Sequence, residues 1–368
     1  MMKKLLLLPA ILMSLLFSYS SVKAQVDDVG ELLRSGINDS NLLLENYLDP
    51  YLNGFGANLN TGWNNSARPY KKFGFDIRVN AAFSIIPESD EFFNISELET
   101  QFQEIEVLND AILTPTVAGG SENRAIIGRT YINPSNGQQE ELFSFEMPDG
   151  TGFGYAPSPM IQATVGLIKD TDVSLRLVPA VSLPEVDGKA SLFGFGAKHG
   201  LNQWIPGGSL LPVDLSVQFG YTKFNFDIAT EVDPESGSDI YNQYDASEWD
   251  NQEVAIESSG YTANLLVGKS LPILSVFAGL GFQSSTSDVS ASGSYPITVP
   301  NEEYNGTTRT ETKAVEAITD PINISVDGSN SVHALVGFRL RLSIIAISGS
   351  YTISNYPVAN VGVGLSFR

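Results

Sequence analysis

The sequence has no cysteine among its 368 residues and only two histidines, His199 and His333. A chain without cysteine has no disulfide framework, no thiolate zinc site and no cysteine nucleophile. The two histidines belong to no HExxH motif, and no Gly-x-Ser-x-Gly elbow occurs, so neither a zinc enzyme nor a serine hydrolase is indicated. We therefore expect no enzymatic activity, no metal ligands and no cofactor.

Basic residues are scarce as well. The chain has 21 Lys and Arg against 42 Asp and Glu, a formal net charge of −21. Such a chain repels a phosphate backbone, which excludes nucleic acid as a partner. The hydrophobic content of 42% argues against disorder. A mean hydropathy of 0.00 fits a soluble domain, but it fits equally a transmembrane β-barrel whose strands alternate apolar and polar residues.

A long apolar run occurs only at the N-terminus. Lys3 and Lys4 precede an apolar stretch over residues 5–17, and Val22-Lys23-Ala24 has the small-x-small pattern of a signal-peptidase site. We interpret residues 1–24 as a cleaved secretory signal. The alternative is a retained anchor, but a spanning helix needs about 20 apolar residues.

Residues 25–70 are predicted to form a helical plug or a periplasmic cap. Apolar residues recur there at three- and four-residue spacing, and Pro50 indicates either a break or the first turn of a second helix. A helix of this length is unstable alone, so its apolar face must pack against the barrel lumen or the barrel base. That face is formed by Leu44, Leu48, Tyr51 and Leu52.

From Phe73 onward the apolar period changes from 3.6 to two. Ten segments show it, and the first is longer than an ordinary soluble strand. We predict an all-β fold, a transmembrane antiparallel β-barrel over residues 71–368. The hairpins within 124–145 and 308–324 would raise its ten strands to 12 or 14. A secreted β-sandwich is the alternative, although glycines on the polar face favour the barrel. The ten segments are 73–85, 161–167, 173–181, 193–198, 213–222, 261–267, 276–282, 332–341, 345–354 and 359–367.

The connections between these strands differ in length on the two sides. If the last strand descends to the periplasm, the periplasmic links are all short, and the long links, 87–157, 227–251 and 290–328, lie outside. This register returns the N-terminal helices to the periplasmic side. The three long loops hold 27 of the 42 acidic residues. They form either a solvated face that prevents association or a surface that binds a partner or divalent cations.

Charged residues on the polar faces of the strands are expected to point into the lumen. They form either structural ion pairs or a constriction that orders a permeating solute. The candidates for a constriction are Asp76, Arg78, Arg176, Arg339 and Arg341. Lys198 and Asp214 also lie on the polar faces of their strands.

Two stretches, residues 54–63 (GFGANLNTGW) and 196–206 (GAKHGLNQWIP), carry a resemblance. With them the chain resembles an uncharacterised family of outer-membrane β-barrel proteins from Bacteroidota. More distantly, it is similar to the long-chain fatty-acid channel family, in which an N-terminal segment plugs a barrel that passes hydrophobic solutes. The Asn-Pro-Ala motif of that family is absent, since Pro50 follows Asp49.

The sequence thus predicts an outer-membrane β-barrel that acts as a passive channel for small solutes, hydrophobic ones included. The alternative is a structural or surface-interaction barrel whose acidic loops bind a partner or cations. Membrane lipid is the expected partner in either case.

Overall fold

The computed structural model describes residues 32–183, 187–328 and 330–367, so the predicted signal, residues 1–24, lies outside the described residues. The strands are β1 (Phe75–Ile85), β2 (Phe92–Asn94), β3 (Glu106–Val107), β4 (Leu113–Pro115), β5 (Ile126–Ile132), β6 (Gln139–Glu146), β7 (Tyr155–Gly166), β8 (Thr171–Leu183), β9 (Gly188–Gly200), β10 (Asp214–Thr230), β11 (Ile240–Tyr241), β12 (Gln252–Ser270), β13 (Leu274–Ser292), β14 (Ser294–Pro300), β15 (Lys313–Thr319), β16 (Ile322–Asp327), β17 (Ser331–Leu342), β18 (Ile345–Ile353) and β19 (Val358–Phe367). The α-helices are α1 (Ile37–Asn60) and α2 (Ile95–Leu98), and short 3-10 helices lie at Leu33–Ser35, Glu88–Asp90, Glu99–Gln101, Asn202–Trp204, Gly208–Leu210 and Ala246–Trp249.

Ten of these strands form a closed antiparallel barrel in the order β1-β7-β8-β9-β10-β12-β13-β17-β18-β19. The pairing of β1 with β19 closes the barrel, with Phe75 opposite Phe367 and Ser84 opposite Val358. The predicted all-β barrel of ten strands is therefore confirmed, since each strand coincides with a segment of period two. The additional hairpins do not widen the wall: β5 and β6 pair with β3, and β14 and β15 pair with β11, in separate sheets. Strand β16 pairs with β13 at residues 286–291, beyond the part of β13 that pairs with β17.

The barrel is apolar outside and polar inside. On β17, Val332, Val336 and Phe338 are exposed on the outer face, while His333 points inward and is buried. A sandwich would bury its apolar faces between two sheets, whereas this single closed sheet turns them outward. The alternation along each strand fixes this arrangement, because a one-residue slip would put every side chain on the wrong face.

The connections at the two ends of the barrel differ in length, although the β9–β10 connection at the end with the short turns spans residues 201–213. At one end, here called the turn end, β7–β8, β12–β13 and β17–β18 are joined by two to four residues. At the other, the loop end, the long connections fold into small sheets. We call residues 87–154, 231–251 and 293–330 the cap. Its core contains Ile95, Leu98, Ile105, Ile127, Leu142, Phe145, Met147 and Tyr295.

Helix α1 is continuous through Pro50, so the predicted break is wrong. Its first half is surrounded by the cap: the Tyr47 hydroxyl donates to the carbonyl of Asp149 at 2.7 Å. The Asp39 carboxylate accepts the backbone N–H groups of Gln103, Glu104 and Ile105. Packing against the cap holds the helix together and offsets the hydrogen bond that Pro50 removes. The expectation that this segment lies at the turn (periplasmic) end is corrected, because it begins at the loop end.

Candidate functional site

The candidate site is the barrel lumen, which the chain's own N-terminal part occupies. Helix α1 enters from the loop end, and the chain then runs through the lumen to β1 at the turn end. Near the loop end, the Asn58 amide donates to the carbonyl of Ala156 at 2.7 Å. Near the turn end, the N–H of Tyr70 donates to Asp172 at 3.0 Å. We call residues 54–70 the inner segment.

Arg176, fully buried on β8, holds the end of α1. Its guanidinium donates to the carbonyl of Leu59 at 2.9 Å and to that of Thr61, and it lies 3.6 Å from the ring centroid of Trp63. It also donates to the Gln162 side chain at 3.1 Å. Carbonyls at a helix C-terminus carry partial negative charge and lack partners within the helix. The arginine therefore supplies both hydrogen bonds and the complementary charge.

Arg78 holds the next two residues. It donates to the carbonyl of Gly62 at 3.0 Å and to that of Trp63 at 2.7 Å, and it lies 3.5 Å from the Asp76 carboxylate. Gly62 has φ +71°, a left-handed conformation that a residue with a side chain adopts at a cost. This glycine turns the chain out of the helix so that both carbonyls face Arg78.

The turn-end part of the inner segment is held in the same way. Lys198 lies 3.2 Å from the carbonyl of Ser66 and 3.5 Å from the Asp172 carboxylate. Arg339 donates to the Tyr70 hydroxyl at 2.9 Å. Asp214, also expected in the lumen, accepts from Arg68 at 2.8 Å. The lumen charges thus bind the inner segment more than they bind one another.

Trp63 is the bulkiest side chain of the inner segment, and two glycines make room for it. Gly196 and Gly220 lie opposite each other on β9 and β10. A Cβ at Gly220 would lie 2.4 Å from the Trp63 ring, and one at Gly196 would lie 2.8 Å from it. With Arg176 over the ring as well, the indole is fixed between the strand backbone and a cation.

The loop-end half of the lumen has a different lining. Ala57 and Leu59 of α1 pack there against Met160, Val178 and Leu192 of the wall. Where β9 and β10 approach the cap, the apolar residues change to the inner face: Leu192, Phe224 and Ile228 point inward, while Lys189, Lys223 and Asp227 lie on the outer face. Phe55 of α1 also lies in this half, with its ring centroid 4.8 Å from that of Phe224.

The predicted constriction residues separate into two groups. Asp76, Arg78 and Arg176 are buried around the inner segment, and Arg339 contacts it at Tyr70. Arg341 does not join them: it lies at the turn end, partly exposed, with one contact of 3.5 Å to the carbonyl of Pro272.

The predicted plug face is also placed differently. Leu44, Leu48, Tyr51 and Leu52 pack into the core of the cap, not against the barrel base. Of these four, Tyr51 also packs against the lumen cluster that contains Met160 and Val178, as Phe55 does further along the helix. Sequence reasoning missed Trp63 and Gln162, although Trp63 ends the distinctive 54–63 stretch.

The two histidines have ordinary partners. His199 accepts from the Trp204 indole at 2.8 Å near the turn end. His333 lies 2.7 Å from the Asn264 side chain inside the barrel. Within the described ranges, no group of three or more His, Asp or Glu is placed to hold a metal ion.

A small cavity borders the inner segment. A cavity of about 20 Å³ lies among Trp63, Asn64, Asn264 and His333, enough for about one water molecule. A far larger groove of about 1020 Å³ lies on the outer apolar face, around Gly349 and Phe338. No helix in the described parts of the chain is long and apolar enough to cross a membrane.

Comparison with known proteins places the chain in a family. The model of a family of unknown function, DUF6588, matches residues 2–367. The chain belongs to this family. No curated protein matches the sequence.

Several solved structures are similar at low identity. The translocator domain of autotransporter NalP from Neisseria meningitidis shares 10% identity over 81% of this chain and 90% of that chain, with a TM-score of 0.29. Ail of Yersinia pestis, in complex with the heparin analogue sucrose octasulfate, shares 8% over 80% and 98%, with a TM-score of 0.22. The toluene transporter TbuX of Ralstonia pickettii shares 8% over 83% and 92%, with a TM-score of 0.23. At such scores these likenesses bear on neither location nor function.

Proposed function

We propose that the protein is a non-enzymatic β-barrel of the outer membrane, exported by a signal over residues 1–24, that acts at the cell surface through its folded acidic cap. In this proposal the inner segment closes the lumen to free diffusion.

The outer face of the barrel supports the membrane location. Strand β1 has 11 residues, which matches the roughly 9–11 tilted residues that cross a bilayer. The longer strands β12 and β13 show where the membrane would end: Tyr261 and Phe282 close the apolar band, and Glu257 and Asp288 follow beyond it. Aromatic rings at such a boundary are typical of outer-membrane barrels.

The observation that carries the functional proposal is the use of the lumen charges. The side chains of Arg78, Arg176 and Lys198 donate hydrogen bonds to backbone carbonyls of the inner segment. In an open pore these cations would face water and the solute. A filled lumen and an ordered cap with a hydrophobic core favour the surface role over the open channel.

A passive channel for small hydrophobic solutes is the second candidate, favoured by the apolar loop-end half of the lumen. Solute flux in liposomes separates the two. We expect the full chain to show no flux of small sugars or small hydrophobic solutes. Flux comparable to that of an open porin would overturn the proposal.

The surface location of the cap has its own test. Protease added to intact cells is expected to cut within residues 231–251, which hold seven acidic residues from Glu231 to Asp250. The barrel should keep its heat-modifiable gel mobility after the cut. Protection in intact cells with cleavage only after lysis would place the cap on the other side of the membrane.

A further inference from the structure

The wall of the barrel is incompletely paired between β7 and β8. Their ladder runs from Gly166 opposite Asp172 to Gln162 opposite Arg176 and stops there. Beyond that point, β7 stays paired with β1 up to Tyr155, and β8 stays paired with β9 up to Leu183. We call the unpaired interval, residues 155–161 and 177–183, the notch.

Prolines explain why the ladder stops. The N–H of Leu167 donates to the carbonyl of Thr171, so the odd-numbered residues of β7 direct their backbone groups toward β8. Pro157 and Pro159 are odd-numbered and have no N–H to donate. Extending the register would place Pro159 opposite Pro179, where neither strand has a donor. A bulge between Val178 and Val181 moves β8 further out of register.

The notch lies within the apolar band of the outer face. Tyr155 and Leu177 beside it are 44% and 47% exposed, and Phe83 on β1 is opposite Pro157. Residues 155–161 and 177–183 contain no charged residue. An unpaired backbone group is costly in hydrocarbon, and it is tolerated where it is buried in protein or lines a cavity. Pro157, Pro159 and Pro179 remove three N–H donors from the notch, so fewer of its backbone groups lack a partner.

Behind the notch lies the apolar half of the lumen. Met160 and Val178 flank the unpaired interval from the inside, and Leu192 continues the patch on β9. Phe55 of α1 and Phe224 of β10 are only partly buried there. Arg176 and Gln162, at the last paired position, form a polar floor below the patch.

We propose that the notch is a lateral site at which the hydrocarbon chain of a membrane lipid enters the barrel wall and contacts the patch around Phe55. The site faces the bilayer interior and is apolar on both sides of the wall, so hydrocarbon fits it better than any charged or peptide partner. This proposal requires the barrel to lie in a bilayer but does not depend on the surface role of the cap.

A phospholipid with a photoactivatable diazirine in its acyl chain tests the proposal in proteoliposomes of the full chain. After irradiation, peptide mapping by mass spectrometry is expected to find the label on the peptide that contains Phe55. This residue lies inside the barrel, so a bilayer-confined probe reaches it only through the wall. Labelling restricted to outward residues such as Leu177 would overturn the proposal.

A variant in which the prolines of the notch are replaced, here called the sealed variant, tests whether the lipid chain reaches Phe55 through the notch. The triple change Pro157→Val, Pro159→Val and Pro179→Val restores three N–H donors to the notch and should lower Phe55 labelling several-fold. The matched control, Pro296→Val with Pro300→Val on β14 of the cap, should leave it unchanged. If the sealed variant fails to fold, Leu192→Trp fills the patch from the inside and should also reduce labelling. Equal labelling in every folded variant would contradict the notch as the route.

Discussion

Replacing Arg176 by alanine should release the inner segment from the lumen wall. The change removes hydrogen bonds to the carbonyls of Leu59 and Thr61 and the cation–π contact with Trp63. A water-filled space of arginine size would open at the end of α1, with peptide groups that then seek water.

The size of the effect follows from these contacts. Truncating one partner of a buried charged interaction costs about 3–5 kcal/mol. Thr222 still donates to the carbonyl of Leu59 at 3.0 Å, so the lower end of this range applies. At about 1.4 kcal/mol per tenfold, a loss of about 3 kcal/mol raises the population of the released segment roughly 100-fold.

A single engineered thiol measures this population, because the chain has no cysteine of its own. Thr61 is 6% exposed, so Thr61→Cys should react slowly with a small water-soluble thiol reagent. In the Arg176→Ala background its reaction should be roughly 100-fold faster. Arg341→Ala is the matched control, since Arg341 does not touch the inner segment. Equal thiol-reaction rates in all three proteins, each with native heat-modifiable mobility, would contradict the claim that Arg176 holds the inner segment against the wall.

Three further predictions concern the space that the Trp63 ring occupies and the stability of the cap. Gly220→Ala places a methyl group 2.4 Å from the Trp63 ring and should lower the temperature of the gel-mobility shift, while Gly120→Ala, with nothing within 4 Å of its Cβ, should not. Asp39→Asn weakens the acceptor for three amides and should cost the cap about 1–3 kcal/mol, read as faster limited proteolysis, whereas Asp110→Asn on the surface should have no effect. Burial raises the pKa of Asp49, so its ionised form opposes folding above that pKa. Asp49→Asn should therefore slow proteolysis at pH 7; the difference should shrink as the pH falls through the raised pKa and vanish below the ordinary pKa of an aspartate. A difference that persists at that acidic pH would contradict this.

The strands could be predicted because their residues carry two independent signals. Alternation along β17 and β19 marks which side chains face outward, and the short turns mark which strands are neighbours. Both signals are local in sequence. The wall of ten strands, its outward apolar face and the inward direction of Arg78 and Arg176 all follow from them.

The path of the inner segment could not be predicted in the same way. Residues 61–70 have no period, and the C-terminal end of α1 is held by residues far away in the sequence, such as Arg176, which is 115 positions from Thr61. The helical pattern around Leu44 and Tyr47 indicates an apolar face but not its partner. That partner is the cap, whose core residues are scattered over three loops.

The notch could not be predicted from the sequence for a different reason. Pro157, Pro159 and Pro179 are visible in the sequence, but their effect depends on which neighbour each backbone group faces. The pairing register decides this, since a proline that faced β1 would break a different ladder.

The placement of the inner segment in the lumen requires α1 to enter the barrel from the loop end. A Cβ at Gly54 would lie 3.6 Å from the Cβ of Ser84 on the inner face of β1, which is within the range for a disulfide. We predict that the double variant Gly54→Cys, Ser84→Cys forms an intramolecular disulfide in native membranes. The pair Gly54→Cys with Ser259→Cys, whose second thiol lies on the outer face of β12, should stay reduced. Free thiols at both positions of the first pair, under conditions that oxidise exposed dithiols, would contradict the placement of the inner segment.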